Sequence, residues 1–199
     1  DLERGLTPVL AMGKVAALLY ERFQAGQLPL TVQSMDNCSH NGDKVRDGVL
    51  AYATRWAQEG LVEQGFVDYL QNKSLVSFPW SMIDKITPRP DPEVAKELAS
   101  IGLEGLDPLK TARGSFIAPF VNAEKPGYLV IEDSFPAGRP PLEKAGVLFT
   151  DAKGVDLCER MKVTVCLNPL HTALAGYGCV LGYKKISDEM DDPLLKALV

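Results

Sequence analysis

The stretch Leu28–Val45, LPLTVQSMDNCSHNGDKV, joins a short apolar run to a polar loop and then to the start of a helix. LPLTVQSM reads as a buried strand. Parallel sheets favour this form, because strands covered on both faces carry near-continuous apolar side chains. Asp36-Asn37 stops the strand, and a helix opens near Asn41 with Val45, Val49, Leu50 and Trp56 as its stripe. Strand, polar loop and helix in that order make half of a doubly wound α/β unit, in which ligands gather at the carboxyl ends of the strands. Asn37, where this strand ends, is therefore a candidate ligand-facing amide. An Asx turn that starts the helix is the competing structural reading. Asn41-Gly42 reads as a turn and helix start, and His40 as a solvated loop residue.

On the amino-terminal side, Thr7-Pro8 reads as an N-cap followed by a proline at the first helical position. TPVLAMGKVAALLYERFQAG then runs as a helix with Val15, Leu18, Leu19 and Phe23 on one face, ended by Gly26. On the other side, residues 61–73 make a second short helix, and SLVSFPWSMIDKITP is extended and punctuated by Pro79. Asp91-Pro92 opens a helix that runs to Leu103. GSFIAPFVN, YLVIED and VLFTD are strand-like, and the Pro/Gly-rich loop SFPAGRPPLEKAG joins the last two. From Gly154 strands cease, and helical segments are predicted at 155–167, 169–183 and 187–198. The predicted architecture is α/β over residues 1–150 and all-α over 151–199. Both ends read as the interior of a longer chain, since LLKALV stops inside an uncapped amphipathic pattern.

Composition excludes several classes. The 199 residues are 46% hydrophobic and 24% charged, in the range of a globular protein. Mean hydropathy is -0.03, too apolar for an acidic disordered tail. Lys+Arg 21 against Asp+Glu 26 gives a net charge of -5 with no basic block, so nucleic acid is an unexpected partner. No apolar run approaches the roughly 18 residues of a membrane span, and the charged start DLERGLTP is neither a signal nor a transit peptide. Cys38, Cys158, Cys166 and Cys179 never approach a CxxC spacing, and His40 and His171 are the only histidines. No metal site is expected, and scattered thiols fit a reducing cytoplasm. The oligomeric state stays open.

Chemistry concentrates in ERMKVTVCLNPLHTALAGYG, which carries Lys162, Asn168 and His171. Polar groups in so apolar a stretch cost several kcal/mol unless they are paired, so each needs a reason. In the structural reading, Asn168 is an N-cap before Pro169 and His171 a core histidine bonded to a carbonyl. In the functional reading, the three form a metal-free alcohol/ketone site. A desolvated lysine serves as general base near neutral pH, because burial disfavours an ammonium. Asparagine amides steady a developing alkoxide, and histidine bonds a substrate hydroxyl. Asp84 sits between Ile83 and Ile86 and would otherwise pair with Lys85 or Arg89. Glu159, one turn before Lys162, would otherwise be an ordinary ion pair with it.

These residues lie in motifs that resemble one family. SLVSFPWSMIDKITP resembles the signature of the polyol-specific long-chain dehydrogenases, the mannitol dehydrogenase family: Phe-Pro, a small residue, then an apolar-Asp-basic-Ile-x-Pro run. SMDNCSHNG is similar to its Asp-Asn-x-x-x-Asn-Gly loop, IEDSFPAGRPPLEKAGVLFTD to the segment leading into its helical domain, and MKVTVCLNPLHTAL to its Lys…Asn-x-x-His element. CLNPLHTAL and DNCSHNG are most similar to the fructuronate reductase (mannonate oxidoreductase) branch. The resemblance implies the last part of a Rossmann-type cofactor domain plus the first helices of a helical substrate domain. It also implies zinc-independent, NAD(H)-dependent interconversion of a ketose or keto-uronate and its secondary alcohol. Lys162 would be the acid/base, and Asn37 and Asn168 the oxyanion hole. His171 would bind substrate and orient the lysine. Asp84, and with it Asn37, would lie on the nicotinamide side, and Glu159 would pass the lysine's proton to solvent. Substrates within reach are fructuronate, tagaturonate and fructose. Lys110, Arg113 and Arg139 are available to a uronate carboxylate.

Two departures from the family pattern carry expectations. Five residues, Val163 to Leu167, separate Lys162 from Asn168 where the family usually has four, so a break or π-bulge is predicted between Lys162 and Pro169. On a straight α-helix Lys162 and His171 would point about 180° apart. The chain also lacks a glycine-rich phosphate loop and the acidic residue that follows one, so alone it is expected to bind NAD(H) weakly. Tight binding in a fluorescence titration of the 199-residue chain would contradict that. The contrasting reading is a non-catalytic interaction module, in which Lys162→Ala would leave partner binding intact.

Overall fold

The computed structural model describes residues 7–85, 87, 89–123 and 129–199. These form two units: one of the residues up to Ile83 together with those from Leu129 onward, the other of residues from Asp84 on.

The first unit begins with α1 (Ala11–Gln24). Thr7 does not cap it: the N-cap is Leu10, extended at φ -77° and ψ 147°, with no side-chain cap bond. The buried face runs through Gly13, Ala16 and Leu19 at helical spacing, with Phe23 packed beside it, whereas Leu18 is 71% exposed. β1 (Leu30–Thr31) follows, then α2 (Asn41–Gln58), α3 (Gln64–Gln71) and β2 (Val76–Ser77). β1 and β2 are parallel, with Leu30 opposite Val76 and Thr31 opposite Ser77. Strand, two helices and parallel strand is the expected doubly wound unit.

Ala16, Leu19, Val49, Ala53, Trp56, Phe66, Tyr69, Leu70 and Val76 form one core cluster beneath it. Tyr20, Phe23 and Phe66 meet there at ring-centroid distances of 5.1 and 5.7 Å, in the edge and tilted arrangements aromatic quadrupoles favour. Val49 and Trp56 bear out the α2 stripe.

Pro79 interrupts the backbone ladder, and the chain re-enters a sheet as β3 (Ser81–Met82). β3 pairs antiparallel with β6 (Val130–Glu132), which pairs parallel with β7 (Leu148–Thr150). Ser77 Oγ donates to Ser134 O at 2.6 Å, stitching β2 to the end of β6. Between β6 and β7, Arg139 makes a two-pronged bond to Asp133 (2.8 and 3.0 Å), donates to Glu143 at 2.6 Å, and stacks 3.5 Å from the Phe149 ring centroid. It is thus committed within the fold and is not the spare cation the sequence suggested.

The bonds from Arg139 hold the Asp133 carboxyl below its usual range. Glu143 is also lowered, first by its own backbone N–H and then by Arg139. A depressed carboxyl stabilises the fold above its unfolded value, and that contribution fades as pH falls through the folded value. Arg139→Met is therefore expected to lower Tm at neutral pH and to flatten its decline on acidification. Thermal unfolding from neutral pH down to about pH 3 checks this.

After β7 come helices only. Asp151 caps α5 (Ala152–Glu159) through a 2.7 Å bond from Gly154 N–H. A π-helix (Arg160–Leu167) continues into α6 (Asn168–Leu181), followed by α7 (Ile186–Glu189) and α8 (Pro193–Leu198).

The second unit holds α4 (Pro92–Ser100), capped as expected by Asp91, whose carboxylate accepts from Glu93 N–H. It also holds an antiparallel hairpin, β4 (Leu109–Lys110) with β5 (Phe116–Ile117). The sequence reading has no strand at β4.

Candidate active site

The loop after β1 is built from its buried end. Asn41 is 1% exposed, and its side-chain NH2 donates to Asp36 O, Ser81 O and Ser81 Oγ at 2.9, 3.1 and 2.9 Å. Its Oδ1 accepts from Ser81 N–H at 3.0 Å, and Ser81 Oγ donates to Ser34 O at 2.7 Å. One amide side chain thus pins both ends of the loop to β3. Gly42 lets this happen: a Cβ there would lie 2.2 Å from Phe78 O and 2.6 Å from Pro79 O. Suspended between these anchors, Asn37 is exposed at a bend.

His40 is not a free loop residue. It takes a left-handed backbone (φ 53°, ψ 43°), stacks on Trp80 at 4.0 Å between ring centroids, and donates from Nε2 to Asp156 Oδ1 at 3.0 Å. Ser39 Oγ donates to Glu159 Oε1. Both acceptors lie on α5, one turn apart, and Lys162 follows at the same spacing.

Lys162 is half-buried on the π-helix, while Asn168 and His171 are exposed on α6. The bulge predicted between Lys162 and Pro169 is thus present as π turns over Arg160–Leu167. With about 4.4 residues per turn there, the angle between Lys162 and His171 falls from about 180° to roughly 70–90°. Pro169 has no N–H, so the junction lacks a backbone bond at that point. Asn168 is itself helical (φ -64°, ψ -46°) inside one continuous run of turns, so it is not the N-cap the sequence suggested. His171 Nδ1–H donates to Leu167 O at 2.9 Å, and Thr172 Oγ to Asn168 O at 2.8 Å. The carbonyl bond foreseen for His171 is present, but on an exposed ring. In the neutral form it leaves Nε2 as the acceptor.

Asp84 is half-buried in the second unit, where Lys110 and Arg113 lie exposed on the hairpin. Among the described residues no group of three or more His, Cys, Asp or Glu side chains could hold a metal ion. No helix among them is long and apolar enough to cross a membrane.

The Rossmann-domain model of mannitol dehydrogenase matches residues 6–144. The chain belongs to the mannitol dehydrogenase family. D-mannonate oxidoreductase of Thermotoga maritima is 56% identical over 202 residues, which cover 100% of this chain and 37% of that relative. Among solved structures, substrate-free D-sorbitol dehydrogenase superposes with a TM-score of 0.74 at 31% identity, covering 99% of this chain and 36% of that one. The Pseudomonas fluorescens mannitol 2-dehydrogenase complex with NAD and D-mannitol gives 0.65 at 32%, with the same coverage. The chain therefore spans little more than a third of these relatives.

Within the mannitol dehydrogenase family match, Asn37 and Asp84 fall inside the Rossmann segment. Glu159, Lys162, Asn168 and His171 lie beyond it, in the part shared with the Thermotoga relative. Ser39 and Asp156 escaped the sequence reading, which took His40 only as a solvated loop residue. Their one signal is that Asp156, Glu159 and Lys162 recur every three residues, which puts them along one side of a helix.

Proposed function

We propose that the protein to which this chain belongs is a zinc-independent, NAD-dependent hexuronate reductase, interconverting D-fructuronate and D-mannonate in the cytoplasm. The supporting observation is the π-helix, which brings Lys162 from about 180° to roughly 70–90° of His171 around the helix axis. The 56% identity to a D-mannonate oxidoreductase supports the substrate class. Four free cysteines fit the compartment.

The residues present suit the nicotinamide end of a dinucleotide. At the carboxyl end of β1, Gln33 keeps a buried Oε1 with no hydrogen-bond partner among the described residues, an open acceptor for an amide donor. When bound, the dinucleotide would supply or accept the hydride, with Asn37 on its nicotinamide side. In the reducing direction, Lys162 gives its proton to the carbonyl oxygen as the carbon is reduced. Asn37 and Asn168 donate amide N–H groups to the oxygen while its charge develops. His171, its Nδ1–H held by Leu167 O, accepts a substrate hydroxyl at Nε2. Glu159 returns a proton from solvent to Lys162. The helical substrate domain begins at Asp151 in this reading.

Initial rates of NADH oxidation by the full-length polypeptide with fructuronate, tagaturonate and fructose test the assignment. The expected order puts both uronates above fructose by at least about tenfold in kcat/KM, since a site built for a charged group rejects an analogue that lacks it, and fructuronate ahead of tagaturonate, as the likeness to a D-mannonate oxidoreductase suggests. Preference for fructose would move the protein to the mannitol branch.

A further inference from the structure

We propose that His40 is a positioning residue: its bond to Asp156 clamps the loop bearing Asn37 onto the helix that leads to Lys162. The inference rests on the catalytic reading above, and its structural half stands independently of it.

The loop is anchored at its base by Asn41 and Gly42, as described, but these fix it only to β3. What ties it to α5 is a pair of side-chain bonds, from His40 Nε2–H to Asp156 Oδ1 at 3.0 Å and from Ser39 Oγ to Glu159. His40 pairs with Asp156 from a left-handed backbone that non-glycine residues seldom adopt, and such conformations persist only where the surroundings enforce them. Trp80 provides that enforcement through its stacked ring, 15° from parallel, and its backbone N–H is held by Glu132 Oε2 at 3.0 Å. A side chain buttressed on one face, bonded on its edge and strained in its backbone is placed with little freedom. It bridges the element carrying one proposed oxyanion donor and the element carrying the proposed acid/base. The Ser39 bond has a second consequence. It holds the carboxylate of Glu159, the proposed proton relay, as an acceptor.

Misplacing catalytic groups by about 1 Å costs on the order of a hundredfold in rate, so the clamp should register in kcat rather than in NADH binding. In the full-length polypeptide, His40→Ala is expected to lower kcat with fructuronate about 10- to 100-fold, with KM for NADH within about twofold. His40→Gln, whose amide can still donate to Asp156, should recover most of the loss. Asp156→Ala should match His40→Ala, and the double variant should lose no more than either, because the two act as one device. Hydrogen–deuterium exchange of residues 36–41 should speed up in both single variants.

Additive losses, or a kcat per folded molecule equal to wild type, would overturn the proposal. Unchanged exchange in the loop would overturn the clamp whatever the substrate. Faster exchange in variants of a wild-type enzyme that turns over none of the three sugars would refute the catalytic reading and leave only a structural clamp.

Discussion

Lys162→Ala is expected to cut kcat with fructuronate by about 10²- to 10⁴-fold, the usual contribution of a positioned acid/base, with KM changed by less than about threefold. Lys162→Arg separates proton transfer from mere charge. A guanidinium stays protonated at any working pH, so it preserves the cation but cannot give up its proton. The arginine variant should therefore be nearly as slow as the alanine one. Turnover by Lys162→Arg within tenfold of wild type would show that the site needs only a positive charge there. Intact turnover by Lys162→Ala would remove the lysine from the mechanism altogether.

The second large effect is structural and concerns the base of the Asn37 loop. Gly42→Ala is expected to cost about 3 kcal/mol or more of unfolding free energy. Its new methyl would meet backbone, the Phe78 and Pro79 carbonyls, which cannot turn aside as a flexible side chain could. The backbone at Gly42 is ordinarily helical, so the glycine serves close approach rather than conformational freedom. Asn41→Ala is expected to cost about 2–4 kcal/mol, because it strands the buried N–H and C=O of Ser81. Urea unfolding gives both numbers, and a loss below about 1 kcal/mol for either would mean that the loop can rest away from β3 at little cost.

These residues also show what a reader of the sequence can and cannot see. The β1–α2 unit is legible because its signals are local: an apolar run, a polar stop, and a stripe of Val45, Val49, Leu50 and Trp56 at helical spacing, although the strand closes to the two half-buried residues of β1. Asp91-Pro92 is legible for the same reason, since a cap and its helix are neighbours in the chain. Leu18 is misread because α1 has a second apolar face in its sequence, and spacing alone does not tell which face meets α2. The π-helix follows from one surplus residue, visible only beside a family pattern with a shorter spacing. His40 is illegible for a different reason. Its partners, Trp80 and Asp156, lie 40 and 116 residues away, and only the folded chain brings a loop, a strand end and a helix together. Arg139 is a similar case: nothing in PAGRPP announces that two carboxylates and a phenyl ring already hold it.

In the proposed reaction the proton chemistry resides in side chains of this chain and needs no metal. The most direct measurement is the rate of NADH oxidation with fructuronate by the full-length polypeptide, before and after exhaustive treatment with EDTA. Metal content is determined on the same sample. Undiminished turnover at a metal content far below one per chain is the expected result. Loss of turnover that returns on adding zinc would contradict it and would take the role of Lys162 with it.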